Sequence, residues 1–329
     1  PLTACVTLAL WRLGCWLEPH RQSSWWQAFA AALAVSAALL VKQSALLVLI
    51  PACAWAVVVA LRAGVRRQAQ LAVGLTLVAL SLLPWLRHNW ITTLGGTNRA
   101  VIESAALEGD PGVLTLVGWL WYPRLLPDQV GWVLLLVGLS GLVLLLQQWL
   151  CGLVAPPRDG ADRRQGWVWL VGMLVLGWLF TNLSPNKDSR YIAPLLPLLL
   201  LLLSRGWLQW GLWIRRRWPV HARWLPGLAL AAGGLAAATH GWMQQSARLQ
   251  NPHQGPLESI VQRAGGGVPG VAPKTLIVVP STPDLNQHNV SYYGRRSGGQ
   301  LVGRQLGGSL DHVQPVLDYA ELVLLAEGD

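Results

Sequence analysis

The sequence predicts a mostly α-helical polytopic membrane domain, residues 1–243, followed by a small α/β domain, residues 244–329. Three observations carry this. The chain is 53% hydrophobic and only 12% charged. Its apolar residues gather in blocks of about 17–25, long enough as helices to cross a hydrocarbon layer roughly 30 Å thick. After Met243 the blocks give way to Gly/Pro-rich stretches and short β-branched runs. A soluble core of this size alternates polar and apolar residues more often.

In chain order the blocks read as eight spans, near residues 1–17, 25–41, 43–61, 69–86, 130–154, 166–184, 190–214 and 224–243. Many of the 20 Trp flank them, including Trp25, Trp26, Trp85, Trp90, Trp132, Trp167, Trp207, Trp224 and Trp242. Indole rings favour the membrane–water interface, so these read as anchors.

The net charge of +10 belongs to the membrane part. Residues 244–329 hold six Lys/Arg against seven Asp/Glu. The excess lies in short loops that carry Arg21; Arg62, Arg66 and Arg67; Arg158, Arg163 and Arg164; and Arg215, Arg216, Arg217 and Arg223. The positive-inside rule makes these loops cytoplasmic. Arginines confined to inter-span loops call for membrane lipids as neighbours and for no nucleic acid. Lys42, the 87–129 loop, the 184–191 hinge and the segment after Trp242 then face the other side.

The 87–129 loop is too long for a simple connection. Its apolar stretch at 113–123 is too short to cross, which predicts a re-entrant or interface-lying helix. Glu103, Glu108, Asp110 and Asp128 read there as solvated loop charges. Beyond Met243, residues 275–280 predict a buried strand and 286–296 a helix with Asp284 near its start. Strands follow at 301–305 and 321–326, with a helix at 310–318 interrupted by Pro315. The alternation is that of a small α/β domain. Ser297-Gly298-Gly299 does not lead from a strand into a helix, so it reads as a turn and not as a dinucleotide loop.

Cys5, Cys15, Cys53 and Cys151 fall in or beside apolar blocks and read as small buried hydrophobes. The seven His have no metal-ligand spacing, and no G-x-S-x-G, H-E-x-x-H, P-loop or Cys-x-x-Cys motif occurs. No metal and no cofactor is expected.

What remains is a set of cations at the outer boundary. Lys42 interrupts two apolar runs in Leu40-Val41-Lys42-Gln43-Ser44. Arg87, with His88 and Asn89, closes another span after Leu83-Pro84-Trp85. Lys187, Arg190 and Tyr191 lie at the mouth of a Leu-rich span. A Lys at a helix centre costs about 2.5–3.5 kcal/mol on insertion scales, less where it snorkels. Cations kept on the charge-poor face predict a bound anion, a phosphate whose lipid tail stays in the bilayer.

These segments, Lys42-Gln43, Leu83-Pro84-Trp85-Leu86-Arg87-His88-Asn89 and Arg190-Tyr191-Ile192-Ala193-Pro194-Leu195-Leu196-Pro197, resemble the GT-C glycosyltransferases. The branch is the protein-mannosyltransferase and aminoarabinose-transferase-like one. Residues 284–293 resemble the outer soluble domain of its bacterial members. The resemblance implies an integral protein of the bacterial inner membrane with its C-terminal domain extracytoplasmic. It implies transfer of a sugar from a polyprenyl-phosphate donor to a lipid, glycan or protein acceptor on the outer face. Lys42, Lys187, Arg190 and Tyr191, with Arg87 as a further candidate, would bind the donor phosphate. The family's acidic catalytic motif belongs in the first outer loop, before what corresponds here to Pro1. The chain therefore reads as N-terminally truncated, its catalytic base unidentified, and by itself is not expected to catalyse transfer. The rival readings are a flippase and a non-catalytic binding component for a lipid-linked anion.

Overall fold

The computed structural model describes residues 1–18, 24–98, 101–102, 105, 109–151, 160–218, 224–250, 257–265, 272–279, 285–299, 301–306 and 310–325. Arg21, Glu103, Glu108, Arg158, Arg223 and Asp284 lie outside them. The chain divides into two compact units, Pro1–Gly241 and Trp242–Asp329.

In the first unit α1 (Leu2–Leu17) and α2 (Trp25–Val41) pair through apolar faces. On α2 the buried residues Ala28, Ala31, Ala32, Val35 and Ala38 recur at helical spacing. Lys42 then takes an extended conformation, φ −164° and ψ 134°, which ends α2. A single 3-10 turn, Gln43–Ala45, leads into α3 (Leu46–Arg62), and α4 (Val65–Asn98) follows. The 113–123 stretch contributes to α5 (Leu116–Val130), whose first turn is closed by Thr115: its hydroxyl accepts from the Gly118 N–H at 3.1 Å. Only Gly131, at φ 93°, separates α5 from α6 (Trp132–Leu150), a left-handed backbone that favours glycine. Then come α7 (Gly160–Asn182), two 3-10 turns at Ser189–Tyr191 and Ala193–Leu195, α8 (Leu196–Arg217) and α9 (Leu225–Gln250).

Where the sequence predicts eight spans, four candidate spans among the described residues are long and apolar enough to cross: Gln43–Arg62, Val65–Ile91, Trp132–Leu150 and Ser189–Arg217. The difference has a physical source. Helices α1 and α2, of 16 and 17 residues, reach only about 24–26 Å at 1.5 Å per residue. Helices α7 and α9 are long enough, but α7 opens with Asp162, Arg163 and Arg164, and α9 carries His240, Gln244, Gln245 and Arg248.

Helices α6 and α8 make the closest pairing. A methyl group added at Gly138 would lie 2.7 Å from Leu203 Cδ2, and one at Gly141 would overlap the Gly206 carbonyl. Absent side chains let the two backbones touch, as small residues do between membrane helices. The approach brings the Gln209 amide to donate to Gln148 Oε1 at 2.6 Å and the Trp207 indole to donate to the Leu134 carbonyl at 3.2 Å.

Two sequence expectations are corrected here. Arg67 is not a solvated loop charge. Only 8% exposed, it donates to the Trp16 carbonyl and, at 3.0 Å, to the Glu18 carbonyl, covering the unpaired C-terminal end of α1. The Trp16 indole donates beside it to the buried Gln70 at 2.9 Å. Cys151 is exposed, because it follows the last turn of α6, while Cys5, Cys15 and Cys53 are half-buried.

The second unit is a three-stranded parallel sheet in the order β2-β1-β3. It holds α10 (Leu257–Gly265), β1 (Lys274–Val279), α11 (Gln287–Arg296), β2 (Leu301–Gln305), α12 (Leu310–Leu317) and β3 (Leu322–Leu325). Parallel neighbours need helical crossovers, which α11 and α12 supply. Leu276 pairs with Gly303 on one side and Leu322 on the other. The central β1 buries Leu276, Ile277 and Val278, a continuous apolar run against Val261, Val290 and Leu301. Asn286 caps α11, its side-chain oxygen accepting from the His288 and Asn289 N–H groups at 3.0 and 2.9 Å. Gly298 and Gly299 take positive φ, 111° and 81°, in the turn. Helix α12 runs through Pro315 instead of stopping there.

Candidate functional site

The hinge after α7 is folded by its own short polar side chains. Pro185 disfavours helix for Ser184 before it. Beyond it Asn186 Oδ1 accepts the Asp188 N–H at 3.1 Å, and Asp188 Oδ1 accepts the Arg190 N–H at 2.8 Å. Such side-chain-to-backbone bonds replace the helix ladder with turns. Arg190 folds back on the same residue: its Nε donates to Asp188 Oδ2 at 2.7 Å and its terminal nitrogen pairs with that oxygen. The Arg190 side chain nonetheless remains 76% exposed, that of Asp188 only 18%.

Lys42 arrives from the break between α2 and α3. It is exposed, and its Nζ stands 5.9 Å from the centroid of the Tyr191 ring, within cation–π range. Lys42 also acts on Asp188. Burial pushes the Asp188 carboxyl up, but the bonds and charge of Arg190, with the charge of Lys42, outweigh it and hold the carboxyl below its ordinary range.

Beneath this outer group lies a buried one. Lys187 is 1% exposed. Its backbone N–H donates to Asp110 Oδ2 at 2.7 Å, and its ammonium donates to the Asn182 carbonyl, 5.9 Å from the centroid of the Tyr122 ring. Burial pushes the Lys187 ammonium down, and the Asp110 charge offsets part of that. Tyr122 is fully buried, which pushes its phenol up; Tyr191, Asp188 and Asp110 push the same way. Among the described residues, Tyr122 Oη and Asn182 Oδ1 are buried without a hydrogen-bond partner.

Of the residues singled out in the sequence, the fold brings Lys42, Arg190 and Tyr191 together at one surface, with Asp188 among them. Lys187 belongs to the same hinge but is turned inward, so it is not a cation at the mouth; the carbonyl end of α7 and the Asp110 carboxylate hold it below. Arg87 is exposed on α4, and no contact among the described residues links it to Lys42, Lys187, Arg190 or Tyr191. Asp110, Asp188, Asn182 and Tyr122 were not legible as site residues. Asp110 read as a solvated charge, 77 positions from its partner. Asp188 carried a usable signal: an Asp two residues before an Arg is placed for a local turn with a charge pair. Among the described residues no cluster of three or more His, Cys, Asp or Glu is placed to hold a metal.

No family model matches this chain, and neither does any curated protein or solved structure, so the functional reading rests on the residues themselves.

Proposed function

We propose that the Lys42–Tyr191–Arg190 surface binds the phosphate of a lipid-linked donor, and that the chain belongs to a GT-C-type membrane glycosyltransferase. The donor is a polyprenyl-phosphate sugar, and the acceptor is a lipid, glycan or protein on the extracytoplasmic face of a bacterial inner membrane. One observation carries the reading. Two residues 149 positions apart, Lys42 and Tyr191, meet at a break between apolar helices, beside the exposed Arg190 guanidinium.

The chemistry follows from the groups. Lys42 supplies a point charge that makes no salt bridge within 4 Å among the described residues. Arg190 supplies a planar fork already fixed by Asp188, so little further ordering is needed when an anion arrives. Cations preorganised in this way stabilise the charge that develops on a departing phosphate. Asp188 suits that role as a positioning group and not as a base, since its carboxyl is held low and its oxygens are engaged. The neighbouring helices are apolar along their lengths and suit the lipid tail. Their breaks at Lys42 and at residues 183–195 also favour the flippase reading.

Binding of undecaprenyl phosphate to the full chain in nanodiscs tests the site. Lys42→Ala and Arg190→Ala are each expected to weaken it tenfold or more, the size of one lost charge-assisted hydrogen bond, about 1.5–3 kcal/mol. Unchanged binding in both variants defeats the phosphate site. Transbilayer movement of the carrier in proteoliposomes, without sugar transfer, selects the flippase.

A further inference from the structure

We propose that Lys187, Tyr122 and Asn182, with Asp110 at their edge, form a sugar subsite that takes hydroxyl groups of the donor's head. This rests on the lipid-phosphate reading above and names the part of the ligand that the phosphate site leaves unspecified.

The argument starts from unmet hydrogen bonds. An ammonium offers three N–H groups, and Lys187 Nζ has one acceptor among the described residues, the Asn182 carbonyl. Tyr122 Oη and Asn182 Oδ1 have none, although both residues are 0% exposed. The orientation of the Asn182 amide is fixed, because its Nδ2 donates to the Trp178 carbonyl at 2.9 Å and a flipped amide would oppose two oxygens. Each such orphan costs about 1–3 kcal/mol in a buried setting, and in a native fold it asks for a partner. Asp110 spends one carboxylate oxygen on the Lys187 N–H.

The donor and acceptor balance then selects the partner. A bare anion would meet the Lys187 N–H groups but be opposed by Asn182 Oδ1 and the Asp110 carboxylate. A cation would be opposed by the ammonium. A polyol satisfies both, because each hydroxyl donates and accepts. The place fits as well. Lys187 and Arg190 belong to one hinge, and Tyr122 feels Tyr191, Asp188 and Asp110 together. A phosphate held by Lys42 and Arg190 would therefore carry its sugar beside this group.

The test uses the full chain in nanodiscs and four carriers: undecaprenyl phosphate and its mannosyl, glucosyl and 4-amino-arabinosyl derivatives. Tyr122→Phe deletes one orphan oxygen and keeps the ring that lies under Lys187, so the fold is expected to survive, with unfolding no easier than in the parent. With Tyr122→Phe, binding of at least one sugar-bearing carrier should weaken about 5–10-fold, with bare undecaprenyl phosphate unchanged. Asn182→Asp, which changes the acceptor without changing its shape, should also alter the ratio of sugar-bearing to bare affinity. Lys42→Ala should weaken all four carriers alike. If bare carrier binds and Tyr122→Phe leaves every ratio unchanged, the subsite is wrong and the phosphate site stands. If no carrier binds, both fall together.

Discussion

Helices α6 and α8 touch backbone to backbone, so adding one methyl group at Gly141 should part them. The new carbon would overlap the Gly206 carbonyl and sit 2.9 Å from the Gly206 Cα. Ordinary carbon contacts lie near 3.5–4.0 Å, so the gap must widen by up to about 1 Å. The obstacle is helix main chain, which cannot swing aside as a side-chain tip does. Overpacking of this kind costs about 1–3 kcal/mol. Parting also stretches the 2.6 Å Gln209–Gln148 bond, a kind of contact that averages about 0.6 kcal/mol between membrane helices. Against this, Ala gains roughly 0.5–1 kcal/mol over Gly as a helix former. The expected net loss for Gly141→Ala is about 1–3 kcal/mol. Gly211, on the same α8, is the control: nothing lies within 4 Å of a methyl group there, so Gly211→Ala keeps only the propensity gain. Equilibrium unfolding in mixed micelles, followed by tryptophan fluorescence, measures both. If Gly141→Ala proves as stable as Gly211→Ala, the close-contact argument is refuted.

Three further outcomes follow from the same geometry. Arg67→Ala uncovers the Trp16 and Glu18 carbonyls and should cost about 1–3 kcal/mol in that assay, while Arg66→Ala, at an exposed position, should cost little; equal losses would contradict the capping role. Amine-reactive acetylation of the intact protein, read by mass spectrometry, should modify exposed Lys42 and spare Lys187 at 1% exposure, and the reverse order would overturn the inward placement of Lys187. Asp188 sets a pH dependence. A carboxyl held low in the fold adds stability that is complete above its ordinary value of 3.8 and is lost as pH falls through the lowered value. Acidification below about pH 4 should therefore weaken the parent more than Asp188→Asn, and parallel curves for the two would sink the pairing.

Periodic and local features were legible in the sequence. The length and apolarity of 43–62 and 132–150, the strand at 301–305 and the turn at Ser297-Gly298-Gly299 each depend on residues adjacent in the chain. The break at Lys42 was readable for the same reason, since a charge between two apolar runs interrupts both. The span count was not. Whether 16 or 17 residues at α1 and α2 reach across a bilayer depends on where each helix ends, which a hydropathy block does not define.

The site divides along the same line. Sequence by itself supplied the cations and the hinge, because charge on an apolar background stands out wherever it falls. Only the tertiary structure decided which of them face outward. It brought Lys42 to Tyr191 across 149 positions, turned Lys187 under the hinge onto the end of α7, and set Asp110 against it. Arg87 was left apart on α4. The reason is physical: hydropathy records what a residue costs to bury, while a partner's position depends on how helices pack, and here that packing is set by contacts as small as two glycines meeting.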